Sequence, residues 1–138
     1  KKYDVVAAFQ VLEHNPIEKL ESHLLKMKKL TNKYMYISLP FSGRWISFSF
    51  FFNLFPKIAF QKNVNFNWER KIFKKVRPIE TLIKRKDKYN AHWWEIGDKN
   101  LSKNQFKKLL KKNNINIVKS FHNDYNPYHI FYLLEIDS

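Results

Sequence analysis

The first forty residues commit the chain to a parallel sheet. Tyr3 to Phe9 (YDVVAAF) is a near-continuous apolar run, the pattern of a central parallel strand covered on both faces. Asn15 is a residue type that caps helices, Pro16 suits a first helical position, and Glu18 completes an Asn-x-x-Glu signature. Ile17, Leu20, Leu24, Met27 and Leu30 then recur at helical spacing. Lys26, Lys28 and Lys29 gather at the end where the helix dipole favours cations. Tyr34 to Leu39 (YMYISL) reads as a second strand, stopped by Pro40. Strand, helix and strand in so short a span predict a right-handed crossover in a parallel sheet.

From Phe41 to Glu95 the pattern loosens, and an irregular insertion with one or two short helices and a hairpin is expected. Its most apolar part, Trp45 to Phe60, is interrupted by Ser47, Ser49, Asn53, Pro56 and Lys57. A membrane-spanning helix needs about 20 apolar residues. A buried or amphipathic segment is therefore expected, with membrane-surface contact as the alternative. Order returns at Ser102, an N-cap with Gln105 three residues on, and Phe106, Leu109 and Leu110 give that helix a buried side. Asn113 and Asn114 end it. Ile115 to Phe121 reads as a strand, His122 to Pro127 as a turn, and Tyr128 to Ile136 as a final strand antiparallel to its predecessor.

The polar residues that follow the first strand need a reason. Ligands of open α/β sheets bind outside the carboxyl ends of the strands, and Gln10, Glu13 and His14 lie at such an end. Either they belong to a site, or they satisfy backbone groups of a helix-entry loop. The stretch His92 to Gly97 (HWWEIG) poses the same alternative: its tryptophans line a pocket with His92 and Glu95, or one packs in the core and the other covers it. His23 falls in a helical pattern and reads as a surface residue. His122 and His129 flank the last turn without an evident partner.

Length and charge narrow the classes. At 138 residues the chain is one domain, and without cysteine it has neither disulfides nor thiolate metal sites. The net charge is +14, but only four of the 26 basic residues are Arg, the type suited to bidentate phosphate and base contacts. A dedicated nucleic-acid role is not expected. A basic module binding nucleic acid or an acidic partner, without catalysis, is the rival to an enzyme. No secretory leader is readable, so a cytoplasmic protein is expected.

YDVVAAFQVLEH, a helix, and KYMYISLP together resemble the second half of a class I S-adenosylmethionine-dependent methyltransferase. Tyr3, Asp4, Val5, Val6, Val11, Leu12, Glu13 and His14 match the family's strand, while Gln10 stands where Glu is usual. HWWEIG and NPYH (Asn126 to His129) look like a bacterial or archaeal subgroup. The resemblance implies an α/β fold: a partial Rossmann-like sheet with strands in the family order 4-5-7-6, the last strand antiparallel. Residues 1–138 would be a single partial domain, with 41–95 inserted in it. The family's Gly-rich loop and ribose-binding carboxylate have no counterpart, since Gly43 and Gly97 are the only glycines and neither sits in a Gly-x-Gly loop. A C-terminal fragment of a longer enzyme is expected, inactive alone and binding S-adenosylmethionine weakly or not at all.

By the same resemblance Phe9, Gln10, Val11 and Glu13 border the cofactor. His14 is the catalytic base, and His92, Trp93, Trp94 and Glu95 face a small-molecule or unidentified methyl acceptor. Glu-x-x-Glu-His on this loop resembles the metal site of small-RNA 2′-O-methyltransferases, built from two Glu and two His. Gln10 replaces the first Glu, and an amide is a poorer ligand for a hard cation, so no metal is expected. With the family's first strand absent, strand 3–9 becomes an edge. It is expected to pair with its mate in a two-fold homodimer, or to be capped by the insertion.

Overall fold

Strand β1 (Tyr3–Phe9) pairs in parallel with β2 (Thr31–Pro40), in a register that sets Val6 beside Met35 and Phe9 beside Ser38. Between them lies helix α1 (Leu20–Leu30). After β2 come a long hairpin, β3 (Arg44–Phe55) and β4 (Ile58–Trp68), then helix α2 (Lys103–Lys112), β5 (Ile115–His122) and β6 (His129–Ile136). The computed structural model describes residues 1–55, 58–69, 92–98, 100–125 and 127–136. The main sheet has the order β1-β2-β6-β5, with β6 antiparallel to both its neighbours, while β3 and β4 form a separate two-stranded sheet. Pro40 pairs with His129, so the carboxyl ends of β1 and β2 meet the start of β6.

Both helices lie on one face of the sheet. Met35, Ile37 and Leu39 alternate along β2, and Ile130, Tyr132 and Leu134 along β6. They bury against Leu20 and Leu24 of α1 and Phe106 and Leu110 of α2. The helices are also tied to each other around Asn113 at the end of α2: Lys28 Nζ, in the last turn of α1, donates to the Asn113 carbonyl (2.7 Å), and Asn113 Nδ2 donates to Glu21 Oε1 in the first turn of α1 (3.0 Å). The opposite face carries a row of rings, one per strand: Phe9 against Tyr36, Tyr36 near Phe131, and Phe131 stacked on Phe121.

Helix α2 begins as its sequence dictates. Ser102 Oγ accepts from Gln105 N (3.1 Å), and Ser102 N donates to Gln105 Oε1 (2.7 Å). Asn113 caps its end, and Asn114 takes a left-handed conformation (φ 53°) that Asn tolerates better than most residues. Helix α1 begins differently from expectation. Asn15 and Pro16 are extended, short 3-10 turns occupy Leu12–His14 and Ile17–Lys19, and the α-helix starts at Leu20 with no side-chain cap. The Asn15 carbonyl is taken by the indole N–H of Trp94 (2.9 Å), a contact across 79 residues that local capping signals do not register.

β1 stands at the edge expected of strand 3–9: it pairs only with β2 among the described residues, and Tyr3, Val5 and Phe9 are about half exposed or more. Its run of apolar residues reflects a central strand's composition at an edge position. Of the buried and amphipathic alternatives for the stretch from Trp45, the structure does not take the buried one. The stretch forms one strand of a hairpin, β3, paired residue for residue with β4 from Arg44↔Trp68 to Phe52↔Phe60, and the rings of Trp45, Phe48, Phe50, Phe51, Phe52 and Phe60 are exposed. Nor does this part of the insertion cap β1. It sits by the far edge, where Asn65 Nδ2 donates to the Asp124 carbonyl in the β5–β6 turn (2.9 Å). The short helices expected within 41–95 have no place in its described parts, and residues 70–91 lie outside the described residues. Among the described residues no helix is long and apolar enough to cross a membrane.

The unpaired edge of β1 predicts association. Light scattering on the chain should give twice the monomer mass. Val5→Lys, which sets a charge at an exposed edge position, should return the monomer. A monomeric parent chain would remove the homodimer through residues 3–9.

Candidate functional site

Three loops converge outside the carboxyl ends of β1 and β2. The first leaves β1 through Gln10, whose left-handed backbone (φ 55°) turns the chain sharply. Gln10 is held there twice by Ser38: its backbone N–H donates to the Ser38 carbonyl (3.3 Å) and its amide to Ser38 Oγ (3.0 Å). That reversal drives Leu12 and Glu13 into the interior and leaves Val11 and His14 exposed. The second loop, 92–98, is stapled across it. Trp93 N donates to the Glu13 carbonyl (2.8 Å), Ile96 N to the Pro40 carbonyl (2.9 Å), and Ser42 N to the Ile96 carbonyl (2.9 Å). The third is the β5–β6 turn, whose Tyr128 carbonyl accepts from Phe41 N (2.7 Å).

A polar chain runs through the junction. Tyr128 Oη donates to Glu95 Oε1 (2.8 Å) and lies 3.2 Å from His92 Nδ1. His92 Nδ1 is 3.4 Å from Glu95 Oε1, and its Nε2 is 4.0 Å from Glu13 Oε1. On the other side of Glu13, His14 Nε2 stands 3.9 Å away, and the two imidazoles meet edge to face at 5.2 Å. Glu13 itself is 0% exposed, and neither carboxylate oxygen has a hydrogen-bond donor at bonding distance among the described residues. A carboxyl without donors favours its neutral form. Burial accordingly raises the Glu13 pKa, opposed by its own backbone N–H and by His92 and His14, while Glu95 adds to the rise. Burial lowers His129, beside Tyr128, and neighbouring His92 lowers it further.

This geometry sorts the sequence candidates. His14, His92, Glu95 and Glu13 come together, and Phe9 and Val11 flank the turn with exposed apolar surface. Trp93 is 40% exposed next to the cluster. Trp94 is 2% exposed and packed in the core with its N–H on the Asn15 carbonyl, so of the two alternatives for the tryptophan pair it takes the core one. Glu13 is wholly buried between His14 and His92. Tyr128 and Ser38 join the site without being among the sequence candidates. They fall within the stretches NPYH and KYMYISLP, but their roles depend on which loops the sheet brings together. Donor atoms of Glu13, His14 and His92 all lie within 4.8 Å of one another, a His₂-carboxylate set of the kind that holds zinc.

His122 has partners away from this junction. Its Nδ1 lies 2.9 Å from the Pro127 carbonyl and its Nε2 3.3 Å from Lys103 Nζ, which also sits over the Phe41 ring at 4.2 Å. Burial lowers both basic groups, and the Lys103 charge lowers His122 further. They border a depression of about 340 Å³ shared with Lys107, Ser120 and Tyr132.

No protein-family model matches the chain, and no curated protein matches its sequence. Among solved structures it aligns with magnesium protoporphyrin IX methyltransferase from Synechocystis PCC 6803 with bound SAH, at TM-score 0.52 and 14% identity, over 99% of this chain and 46% of that one. The same enzyme with bound SAM aligns at TM-score 0.49. The chain thus has a fold found in a methyltransferase, and it spans about half the length of the enzyme it matches.

The buried carboxyl predicts a pH signature. Because its pKa is raised above 4.5, folded Glu13 keeps its proton to a higher pH than the unfolded chain does. Its contribution to stability is fully present below that value and is lost as pH rises through the folded pKa. The stability of the parent chain relative to Glu13→Gln should therefore fall with rising pH, read as the difference in urea midpoints from about pH 4 to about pH 8. A constant difference would mean that the carboxyl titrates as it does in water.

Proposed function

We propose that the chain is the C-terminal part of an S-adenosylmethionine-dependent methyltransferase, and that the loop junction is its reaction site. The observation that carries this reading is position. The His14–Glu13–His92–Glu95 cluster lies outside the carboxyl ends of the parallel strands β1 and β2, where such sheets bind ligands. The fold likeness to a SAH-bound methyltransferase supports it. In this reading β1, β2, β6 and β5 correspond to strands four, five, seven and six of the family's sheet, with β6 the antiparallel member, and 41–95 is an insertion. The edge of β1 and the row of rings on the face opposite α1 and α2, both uncovered among the described residues, are surfaces for the family's first half.

S-adenosylmethionine would supply a methyl group activated on a sulfonium. The residues here fit only part of it: Phe9 and Val11 offer apolar contact, but nothing replaces the Gly-rich loop and ribose-binding carboxylate. The acceptor is an oxygen, nitrogen or carbon nucleophile, and a proton on it needs a base. His14 is exposed enough to reach that proton and near enough to Glu13 for the imidazolium to be stabilised. Glu13 acts through His14 and His92 rather than on a ligand. Glu95 and Tyr128 orient His92, and Trp93 flanks the acceptor.

Calorimetry on the chain should show no micromolar binding of S-adenosylmethionine. In a protein restored to full length, His14→Ala should slow methyl transfer by about 10²–10⁴-fold while changing cofactor affinity far less. An unchanged rate would return His14 to a loop residue.

A second reading rests on the two oxygens of Glu13, which have no hydrogen-bond partner among the described residues. A divalent cation held by Glu13, His14 and His92 would satisfy them. Equilibrium dialysis against zinc and manganese tests it: one ion per chain, lost in both Glu13→Gln and His92→Ala, is expected of a metal centre. No uptake by the parent chain leaves the cluster as a proton-sharing one.

A further inference from the structure

The hairpin has two unlike faces. Strand alternation sets the even-numbered residues on one side, and the cross-strand register keeps them together: Ile46 with Phe66, Phe48 with Val64, Phe50 with Lys62, Phe52 with Phe60. The odd-numbered side is polar at its centre, with Ser47 opposite Asn65 and Ser49 opposite Asn63, and it carries two rings, Trp45 opposite Asn67 and Phe51 opposite Gln61. It faces the body of the molecule, where Asn65 reaches Asp124. The apolar side faces away. Val64 is partly buried, while Ile46 and the rings of this side that the structure describes are 43–57% exposed, from Trp68 at the base to Phe66 and Phe60 along β4. So large a continuous apolar surface marks an interaction site, and a two-stranded ribbon has little stability alone in water.

Charge identifies the occupant. From Ser22 to Trp68 the sequence has no acidic residue, and the face itself carries Arg44 beside Trp68 at its base and Lys62 midway. The sequence at 70–91 continues the bias with nine basic and two acidic residues, within a chain of net charge +14. Aromatic rings with a tryptophan at the polar end suit the boundary between headgroups and acyl chains. Long basic side chains can lay their stems on that boundary and hold their charges at lipid phosphates. The ribbon cannot go deeper, because the outer edges of β3 and β4 leave backbone groups that hydrocarbon would not satisfy. We infer that the even-numbered face of the β3–β4 hairpin seats the protein on an anionic phospholipid surface, lying in the interface without crossing it. The inference is independent of the chemistry at the loop junction.

Co-sedimentation with vesicles of phosphatidylglycerol and phosphatidylcholine tests it on the whole chain. The parent chain should pellet with these vesicles, at least about tenfold less with phosphatidylcholine alone, and less as salt screens the charges. The triple variant Phe48→Ser, Phe50→Ser, Phe52→Ser should lose at least about tenfold in binding. Lys62→Glu keeps the rings and reverses one charge, so it should weaken binding to the anionic vesicles alone. It guards against a triple variant that fails to fold. Equal binding by the parent and Lys62→Glu, or no binding by the parent, overturns the inference. So does light scattering that shows the triple substitution dissolving a lipid-free dimer, since the face would then belong to a second copy.

Discussion

Strand β2 is hydrogen-bonded along both edges, to β1 on one side and β6 on the other, and its Met35, Ile37 and Leu39 are wholly buried. The remainder of the molecule is arranged around that double pairing. Parallel pairing with β1 requires a crossover, which places α1 on the sheet; antiparallel pairing with β6 brings the β5–β6 turn to the end where β1 and β2 finish. Pro40 fixes the exit. It has no N–H to donate, but its carbonyl accepts from Ile96 and so anchors the loop that carries His92 and Glu95. Backbone pairing thus delivers three loops to one place before any side chain acts.

What those loops enclose is costly. Glu13 sits without exposure and, among the described residues, without a hydrogen-bond donor to its carboxylate, an arrangement a stable core avoids because an unpaired buried carboxylate is expensive. Its surroundings offset only part of this: two imidazoles near 4 Å and a shift toward the neutral acid. Tolerated cost of this sort concentrates at functional positions. The Gln10–Ser38 pair enforces it, since the left-handed turn at Gln10 aims Glu13 inward while His14 stays at the surface.

The hairpin obeys a different logic. It shares few contacts with the main core, buries no ring of its outward face, and keeps its polar face toward the protein. Apolar content alone leaves this segment readable as buried or amphipathic. Register sets its apolar residues, Trp45 and Phe51 apart, on one side of a ribbon, and that side is the one turned from the body.

Sequence by itself determined the local elements. The capping box at Ser102 and Gln105, the 3.6-residue recurrence of Leu20 and Leu24, and the alternation in the last strand each arise from neighbours close in the chain. The polar cluster after β1 was legible as a site for the same reason, because Gln10, Glu13 and His14 follow one strand. Other features were settled only in three dimensions. Trp94 lies in the core and donates to the Asn15 carbonyl, 79 residues away, while α1 begins only at Leu20. His92 and Tyr128 reach Glu13 and Glu95 only because β2 and β6 end together. Hydrophobicity and capping are properties of residues and their near neighbours, whereas burial, pairing and the company of a carboxylate are properties of the assembled sheet.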